Sequence, residues 1–247
     1  MRLCAVLALG LGLATTATAQ QPTWTYQGRT GPLNWGKLEP ASRACADGHA
    51  QSPIDIRGAR LNTALEPLKF HFLTGPVTLE NTGNTIVAHI RPGGTFVGEG
   101  VTYQLEQLVF HHPSEHAVKG TLTDMDVDLM FHSNDGKQAA ISVRLAVEQG
   151  TANAAIATLW EHLPSTPGAR AEITDTLNAG GLLPADRSFW AYTGSLTVPP
   201  CTEGVRWYVM EQPVSISREQ LRQFVAIFRI ASRPLQDRNG RKIEAQE

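Results

Sequence analysis

The chain of 247 residues carries 21 Lys and Arg against 23 Asp and Glu, which leaves a formal net charge of −2. This balance creates no basic field of the kind that attracts nucleic acid or an anionic polysaccharide, so we predict no nucleic-acid partner. The length suits one large β-rich domain, because no linker rich in Pro, Ser or charge divides the sequence.

The first 19 residues have the pattern of a secretory signal peptide. Arg2 gives a positive start, residues 3–13 are apolar, and the small residues at 17–19 form a cleavage site. We therefore predict a mature domain over residues 20–247, located in the periplasm or secreted. No second apolar run approaches the ~20 residues that a membrane helix needs, so we predict no membrane span.

The cysteines of the mature chain form a single pair. Cleavage of the signal would remove Cys4 and leave only Cys45 and Cys201. Because exported proteins fold in an oxidising compartment, this pair predicts a disulfide bond.

Short β-rich runs fill the middle of the chain and are separated by Gly, Asn and Pro. The predicted strands cover residues 77–80, 85–90, 103–111, 126–131 and 140–147. Helical periodicity follows over residues 152–163 and 218–230, and Ser217 with Gln220 fits a capping box at the second start. This pattern favours a mostly β fold of the α+β type, built on a twisted and largely antiparallel sheet.

Two of the predicted strands bring polar side chains together. Alternate residues of a strand share a face, so Gln107, Val109 and His111 point in one direction. Asp126 and Asp128 do the same on the next strand. Two carboxylates so close raise the pKa of one of them unless a cation or a donor intervenes. A site for a hard cation is therefore one alternative, and a buried, hydrogen-bonded histidine at position 111 is the other.

Motifs spread along most of the chain carry a family resemblance. They are Trp24, Tyr26, Trp35, QSPIDI at residues 51–56, SEH at 114–116, LTVPPC at 196–201, Trp207, RPLQ at 233–236 and NGR at 239–241. Through these motifs residues 24–241 resemble the bacterial α-carbonic anhydrases. The resemblance implies a single domain with a central twisted sheet of about ten mostly antiparallel strands and peripheral helices. It also places Cys45 and Cys201 at positions like those of the family disulfide.

The zinc site of that family is incomplete in this sequence. α-Carbonic anhydrases hold Zn²⁺ with three neutral histidines, and the metal lowers the pKa of its bound water to about 7 so that hydroxide attacks carbon dioxide. Val109 stands at the first ligand position and Asp128 at the third, so only His111 remains. Gln107 and Asp126 match positions that orient the ligand histidines.

Other parts of the implied active site persist. Thr197 matches the hydroxyl that orients the zinc-bound hydroxide, and Glu115 matches the carboxylate that accepts its proton. Asn84 occupies the position of the usual proton-shuttle histidine, and an amide cannot relay a proton near neutral pH. The residues that match the apolar substrate pocket are Leu196, Trp207, Met130, Ala140 and Tyr26.

From these residues we predict an exported carbonic anhydrase-related protein that is deficient in CO₂ hydration. It would need no cofactor and would bind a small ligand or a partner in the cell envelope. The alternative is an α-carbonic anhydrase, or a weak esterase, that holds Zn²⁺ at a remodelled site built from His111, Asp128 and either Asp126 or water.

Overall fold

A computed structural model describes residues 23–147 and 151–246. The predicted signal peptide lies outside the described residues. The described strands are β1 (Asp55–Ile56), β2 (Arg60–Leu61), β3 (Lys69–Phe72), β4 (Thr74–Asn81), β5 (Ile86–Ile90), β6 (Gly94–Gly98), β7 (Val101–His111), β8 (Ala117–Val118), β9 (Met125–His132), β10 (Gln138–Ala146), β11 (Arg170–Asn178), β12 (Phe189–Ser195), β13 (Glu203–Met210), β14 (Val214–Ser215) and β15 (Glu244–Ala245). The α-helices are α1 (Trp35–Leu38), α2 (Ala44–Asp47), α3 (Ala154–Trp160) and α4 (Arg218–Val225).

Within the described residues, one sheet of 13 strands runs through the molecule. Its main path has the order β11-β4-β5-β7-β9-β10-β13-β12-β15-β2, with β14 beside β10 and the β3–β6 pair beside β7. Most neighbours are antiparallel, and the parallel pairs in this sheet are β10–β13, β10–β14 and β15–β2. The predicted mostly β, largely antiparallel fold is confirmed. The sheet exceeds the expected ten strands because short edge strands extend it.

Strand β9 separates two apolar clusters through its alternating side chains. Val127, Leu129 and Phe131 enter the larger cluster on one side of the sheet. Met130 packs against the smaller cluster on the other side, and Asp128 shares its face. The centre of the sheet is therefore buried on both sides, and the acidic face of β9 is enclosed by protein.

The two predicted helices exist, but both are shorter than their apolar patterns. In α3 the Asn153 side chain accepts the Ile156 N–H, so the helix begins two residues later than predicted. The capping box of Ser217 and Gln220 is present at α4. The apolar pattern continues past α4 because Phe228, in the turn that follows, still packs on the core. No helix among the described residues has the length and apolarity needed to cross a membrane.

Cys45 and Cys201 form the predicted disulfide and join α2 to the loop before β13, across a separation of 156 residues. A crosslink over so long a loop restricts the unfolded chain, which stabilises the fold by about 3 kcal/mol once native strain is allowed for. We expect a reducing agent to lower the free energy of unfolding by that amount, measured by urea titration. A double Cys45→Ser, Cys201→Ser variant should match the reduced protein, and a curve insensitive to reductant would contradict the prediction.

Candidate ligand site at the centre of the sheet

A cavity of about 180 Å³ opens beside the central strands β7 and β9. We call it the central cavity. Strand β7, strand β9 and the segment after β12 supply most of its lining, namely Gln107, Val109, His111, Asp128, Met130 and residues 196–198. Thr197 and Leu196 thus face the same space as His111, as the sequence predicted. The cavity places most of the predicted site within one enclosure.

The register between β7 and β9 decides what meets at this cavity. Val109 lies directly opposite Asp128, and His111 lies opposite Asp126. The half-buried Val109 side chain offers no lone pair at the position where the resemblance implies a ligand. The cavity wall is therefore aliphatic at the position from which a third protein ligand would bind zinc.

The imidazole of His111 is fixed in one orientation. Its Nδ1 lies 2.9 Å from the carbonyl oxygen of Ala231 and donates to it, so Nε2 is an acceptor when the ring is neutral. Nε2 lies 3.6 Å from Oδ2 of Asp128. Burial lowers the pKa of His111, although Asp128 and the Ala231 carbonyl oppose this. The neutral ring presents its lone pair to the cavity.

Asp128 is the acidic group of the cavity and is only 1% exposed. Burial raises its pKa to about 7; Glu115 adds to the rise, while His111 and Ser142 oppose it. Within the described parts of the chain, neither carboxyl oxygen has a partner at ordinary hydrogen-bond geometry, although the Ser142 hydroxyl lies opposite Asp128 on β10 and interacts with it. Such a group is costly unless it is protonated or meets a donor from a ligand.

Asp126 and Glu115 continue the acidic cluster behind the cavity. Asp126 Oδ2 accepts the backbone N–H of Glu115 at 2.6 Å, and burial followed by Asp128 raises the Asp126 pKa well above its usual range. Burial also raises the pKa of Glu115 to about 7, against interactions with the Arg233 backbone and the Thr197 side chain. Asp126 therefore braces the Glu115 loop through this hydrogen bond.

Arg233 is a site-supporting residue that the sequence interpretation did not single out. Its backbone N–H donates to Glu115 Oε1 at 2.9 Å, and its guanidinium donates to Gln51 Oε1 and to the Ser52 carbonyl at 2.8 Å each. The RPLQ motif that contains it was the available signal. The charge of Arg233 is thus directed at the QSPIDI segment, away from Asp128.

Six of the predicted active-site residues do not line the central cavity, namely Glu115 and Asp126, described above, and Trp207, Ala140, Tyr26 and Asn84. Trp207 and Ala140 are fully buried and belong to the apolar cluster against which Leu196 packs. Tyr26 and Asn84 line a separate cleft, where the Asn84 amide donates to the Trp24 carbonyl at 3.0 Å. Met130 and Leu196 are the predicted pocket residues that do reach the cavity.

The donors present do not fit the catalytic zinc ion of the family. Donor atoms of His111, Asp126 and Asp128 lie within 4.8 Å of one another, but Asp126 does not line the cavity. Its Oδ2 accepts the Glu115 N–H, and its Oδ1 has no hydrogen-bond partner among the described residues. Val109 stands at the remaining ligand position. A catalytic zinc ion takes three protein donors and one open position, and only two of the three clustered side chains line the cavity.

Comparisons with known proteins cover almost the whole chain. The model of the eukaryotic-type carbonic anhydrase family matches residues 30–247. A carbonic anhydrase of Pectobacterium carotovorum is 36% identical over 239 residues, which are 96% of this chain and 97% of that relative. The α-carbonic anhydrase of Thermovibrio ammonificans, solved with the inhibitor sulfanilamide, has a TM-score of 0.86 at 34% identity and covers 94% of this chain and 100% of its own. Dioscorin complexed with ascorbate has a TM-score of 0.83 at 28% identity, with coverage of 90% and 97%.

Proposed function

Because this chain belongs to the carbonic anhydrase family, we propose that it keeps the family cavity as a binding site and has lost efficient CO₂ hydration. The observation that carries this proposal is the pair Val109 and Asp128, which face each other across β7 and β9 at the cavity wall. The predicted signal peptide places the protein in the periplasm or outside the cell.

The chemistry of hydration explains why this pair matters. Hydration needs a hydroxide nucleophile at neutral pH, and zinc supplies it by lowering the pKa of water from about 16 to about 7. Among the described residues, His111 and Asp128 are the only members of the clustered set of possible zinc ligands that also line the cavity, so zinc would be held by too few protein ligands to stay bound. Thr197 and Glu115, which match the residues that orient the hydroxide, then serve to brace the cavity wall.

Retention of a closed, partly apolar cavity supports binding as the remaining role. Enclosed cavities with a few convergent polar groups are typical small-molecule sites. A relative of the same fold, dioscorin, has been solved with the organic ligand ascorbate. We therefore favour a small organic ligand over a partner in the cell envelope.

The second candidate function is CO₂ hydration, or weak ester hydrolysis, at a remodelled zinc site. The names of the relatives favour it, and so does the proximity of His111, Asp126 and Asp128. It requires Asp126, which does not line the cavity, to reach the ion with Oδ1, its oxygen without a hydrogen-bond partner among the described residues.

Metal content decides between the two functions. After incubation with zinc and exhaustive dialysis, we expect elemental mass spectrometry to find far less than one zinc per chain. We also expect CO₂ hydration close to the uncatalysed rate in stopped-flow measurements. The second candidate would be established instead by about one zinc per chain and a measurable hydration rate in the unmodified protein, with both lost in Asp128→Ala.

A further inference from the structure

We propose, resting on the function proposed above, that the central cavity binds an organic cation. Its ligand would carry a primary ammonium group on an apolar body about the size of a benzene ring. The polar atoms at the base, the charge of the lining and the size of the cavity each support this ligand class.

The polar atoms that converge at the base are acceptors. His111 Nδ1 donates to the Ala231 carbonyl, so Nε2 can only accept when the ring is neutral. Asp128 lies 3.6 Å from Nε2, and both of its buried oxygens lack a partner among the described residues. An ammonium group brings three N–H donors and no acceptor. It therefore satisfies this set, whereas a carboxylate or another pure acceptor would leave it unpaired.

The electric charge of the cavity points the same way. The described residues that line it include Asp128 and, near the mouth, Glu106, but no Lys or Arg. Glu115, behind the cavity, raises the pKa of both Asp128 and Asp126. The buried cations that interact with this cluster are Arg233, which lowers the pKa of Glu115, and Arg144, which lies opposite Asp126 on β10. Their guanidinium groups donate to Gln51, to Ser52 and to the Glu211 carbonyl, and neither lines the cavity. A ligand cation beside Asp128 would balance a carboxylate that the protein leaves unbalanced.

An organic cation suits this donor set better than a metal ion. A zinc site gathers three or more protein donors, and of the three clustered donor side chains among the described residues only His111 and Asp128 line the cavity. An ammonium group needs two good acceptors, and its third N–H can meet the Thr197 hydroxyl or water.

The remainder of the lining suits an apolar body. Val109, Met130, Leu196 and Val198 contribute aliphatic or thioether surface. The cavity of about 180 Å³ is slightly larger than an apolar cavity of about 150 Å³ that accommodates benzene in another protein. Val109 therefore does more than remove a zinc ligand, because it adds apolar contact for the ligand body.

Three compounds of similar size and different charge test this inference. Benzylammonium, benzyl alcohol and benzoate are titrated into protein dialysed against a chelator, slightly above neutral pH, where the amine is still protonated. We expect benzylammonium to bind at least about tenfold more tightly than benzyl alcohol, with no detectable binding of benzoate. Calorimetry measures the affinities, and NMR shifts of the His111 ring locate the site. Sulfanilamide, which lacks a cationic group, should not bind.

Asp128→Asn is the decisive variant, because it keeps the shape of the side chain and removes its charge. We expect benzylammonium affinity to fall at least about tenfold in Asp128→Asn. It should stay unchanged in Asp237→Asn, which alters a carboxylate on the exposed surface. Circular dichroism checks that both variants fold, and if Asp128→Asn does not, the three compounds on the unmodified protein decide.

The outcomes separate this inference from the proposed function. Zinc content is measured in a parallel sample that is incubated with zinc and dialysed without chelator, and about one zinc per chain there would overturn both the ammonium site and the proposed function. A zinc-free protein that binds the alcohol or benzoate as well as the amine, or binds none of them, would overturn the ammonium site alone. Equal affinity of the amine for Asp128→Asn and the unmodified protein would do the same.

Discussion

Replacing Val109 and Asp128 together with histidine is expected to produce a protein that holds about one zinc ion per chain and hydrates CO₂. Positions 109 and 128 lie directly opposite each other on β7 and β9, and His111 already presents Nε2 to the same cavity. Three imidazoles around one point are the donor set of a catalytic zinc ion with an open position. Water bound there would have a pKa of about 7.

The gain should be large, because each missing ligand removes most of the zinc affinity. We expect zinc affinity and the stopped-flow hydration rate to rise at least about 100-fold over the unmodified chain. Turnover should remain below that of the relatives, since Asn84 cannot pass protons to solvent. Sulfanilamide, which binds a relative, should now inhibit.

The single variants Val109→His and Asp128→His are the matched controls, since each still leaves one ligand position without an imidazole. Both should bind zinc more weakly than the double variant and show little hydration. A folded double variant that still loses zinc on dialysis would mean that other residues of the cavity also prevent metal binding.

Asp128→Asn is expected to change the pH dependence of stability. The pKa of Asp128 rises from 3.8 in its reference state to about 7 in the fold, mainly through burial. Between these values the folded state binds more protons than the unfolded state, so the free energy of unfolding falls as pH rises. The loss through this one group is roughly 4 kcal/mol, because the pKa rises by about three units and each unit corresponds to about 1.4 kcal/mol.

Asparagine cannot ionise, so the variant should escape this loss. At about pH 4 the two proteins should have similar stability, and at about pH 8 Asp128→Asn should be more stable by roughly 4 kcal/mol. Urea titrations across this range measure the difference. The free energy of unfolding of the variant will still fall somewhat as pH rises, because burial also raises the pKa of Glu115 to about 7.

Asp135→Asn provides a control of opposite sign. Hydrogen bonding to Lys137 and Ser133 lowers the pKa of the exposed Asp135 to about 2. Its charge therefore adds stability as pH rises from about 2 towards its reference value of 3.8, and its removal should slightly weaken the fold at neutral pH.

An Asp128→Asn variant that follows the unmodified protein at every pH would mean that Asp128 is not a buried, strained carboxyl.

Several features of the site are predictable from the sequence because they depend on neighbours along the chain. Strand alternation, which is local geometry, places Val109 and His111 on one face of β7 and Asp126 and Asp128 on one face of β9. The capping box of Ser217 is equally local. The resemblance carried by the motifs adds the largely antiparallel sheet and the disulfide, both of which the structure contains.

What each of these side chains contacts depends on residues far away in the sequence. The register of β7 and β9 sets Val109 against Asp128, and the carbonyl of Ala231, 120 residues from His111, decides which ring nitrogen faces the cavity. Trp207 and Ala140, which the sequence interpretation had placed in the pocket, lie in the buried apolar cluster against which Leu196 packs.

The sequence by itself determined which side chains stand at and beside the family's zinc-ligand positions: one histidine, carboxylates, and a valine where the family has a ligand. Only the tertiary structure decided that Oδ2 of Asp126 accepts the backbone N–H of Glu115, while neither carboxyl oxygen of the buried Asp128 has a hydrogen-bond partner among the described residues. The physical reason is that side-chain chemistry is carried by each residue alone. The cost of burying a carboxyl, in contrast, depends on which donors the rest of the fold brings within hydrogen-bond distance.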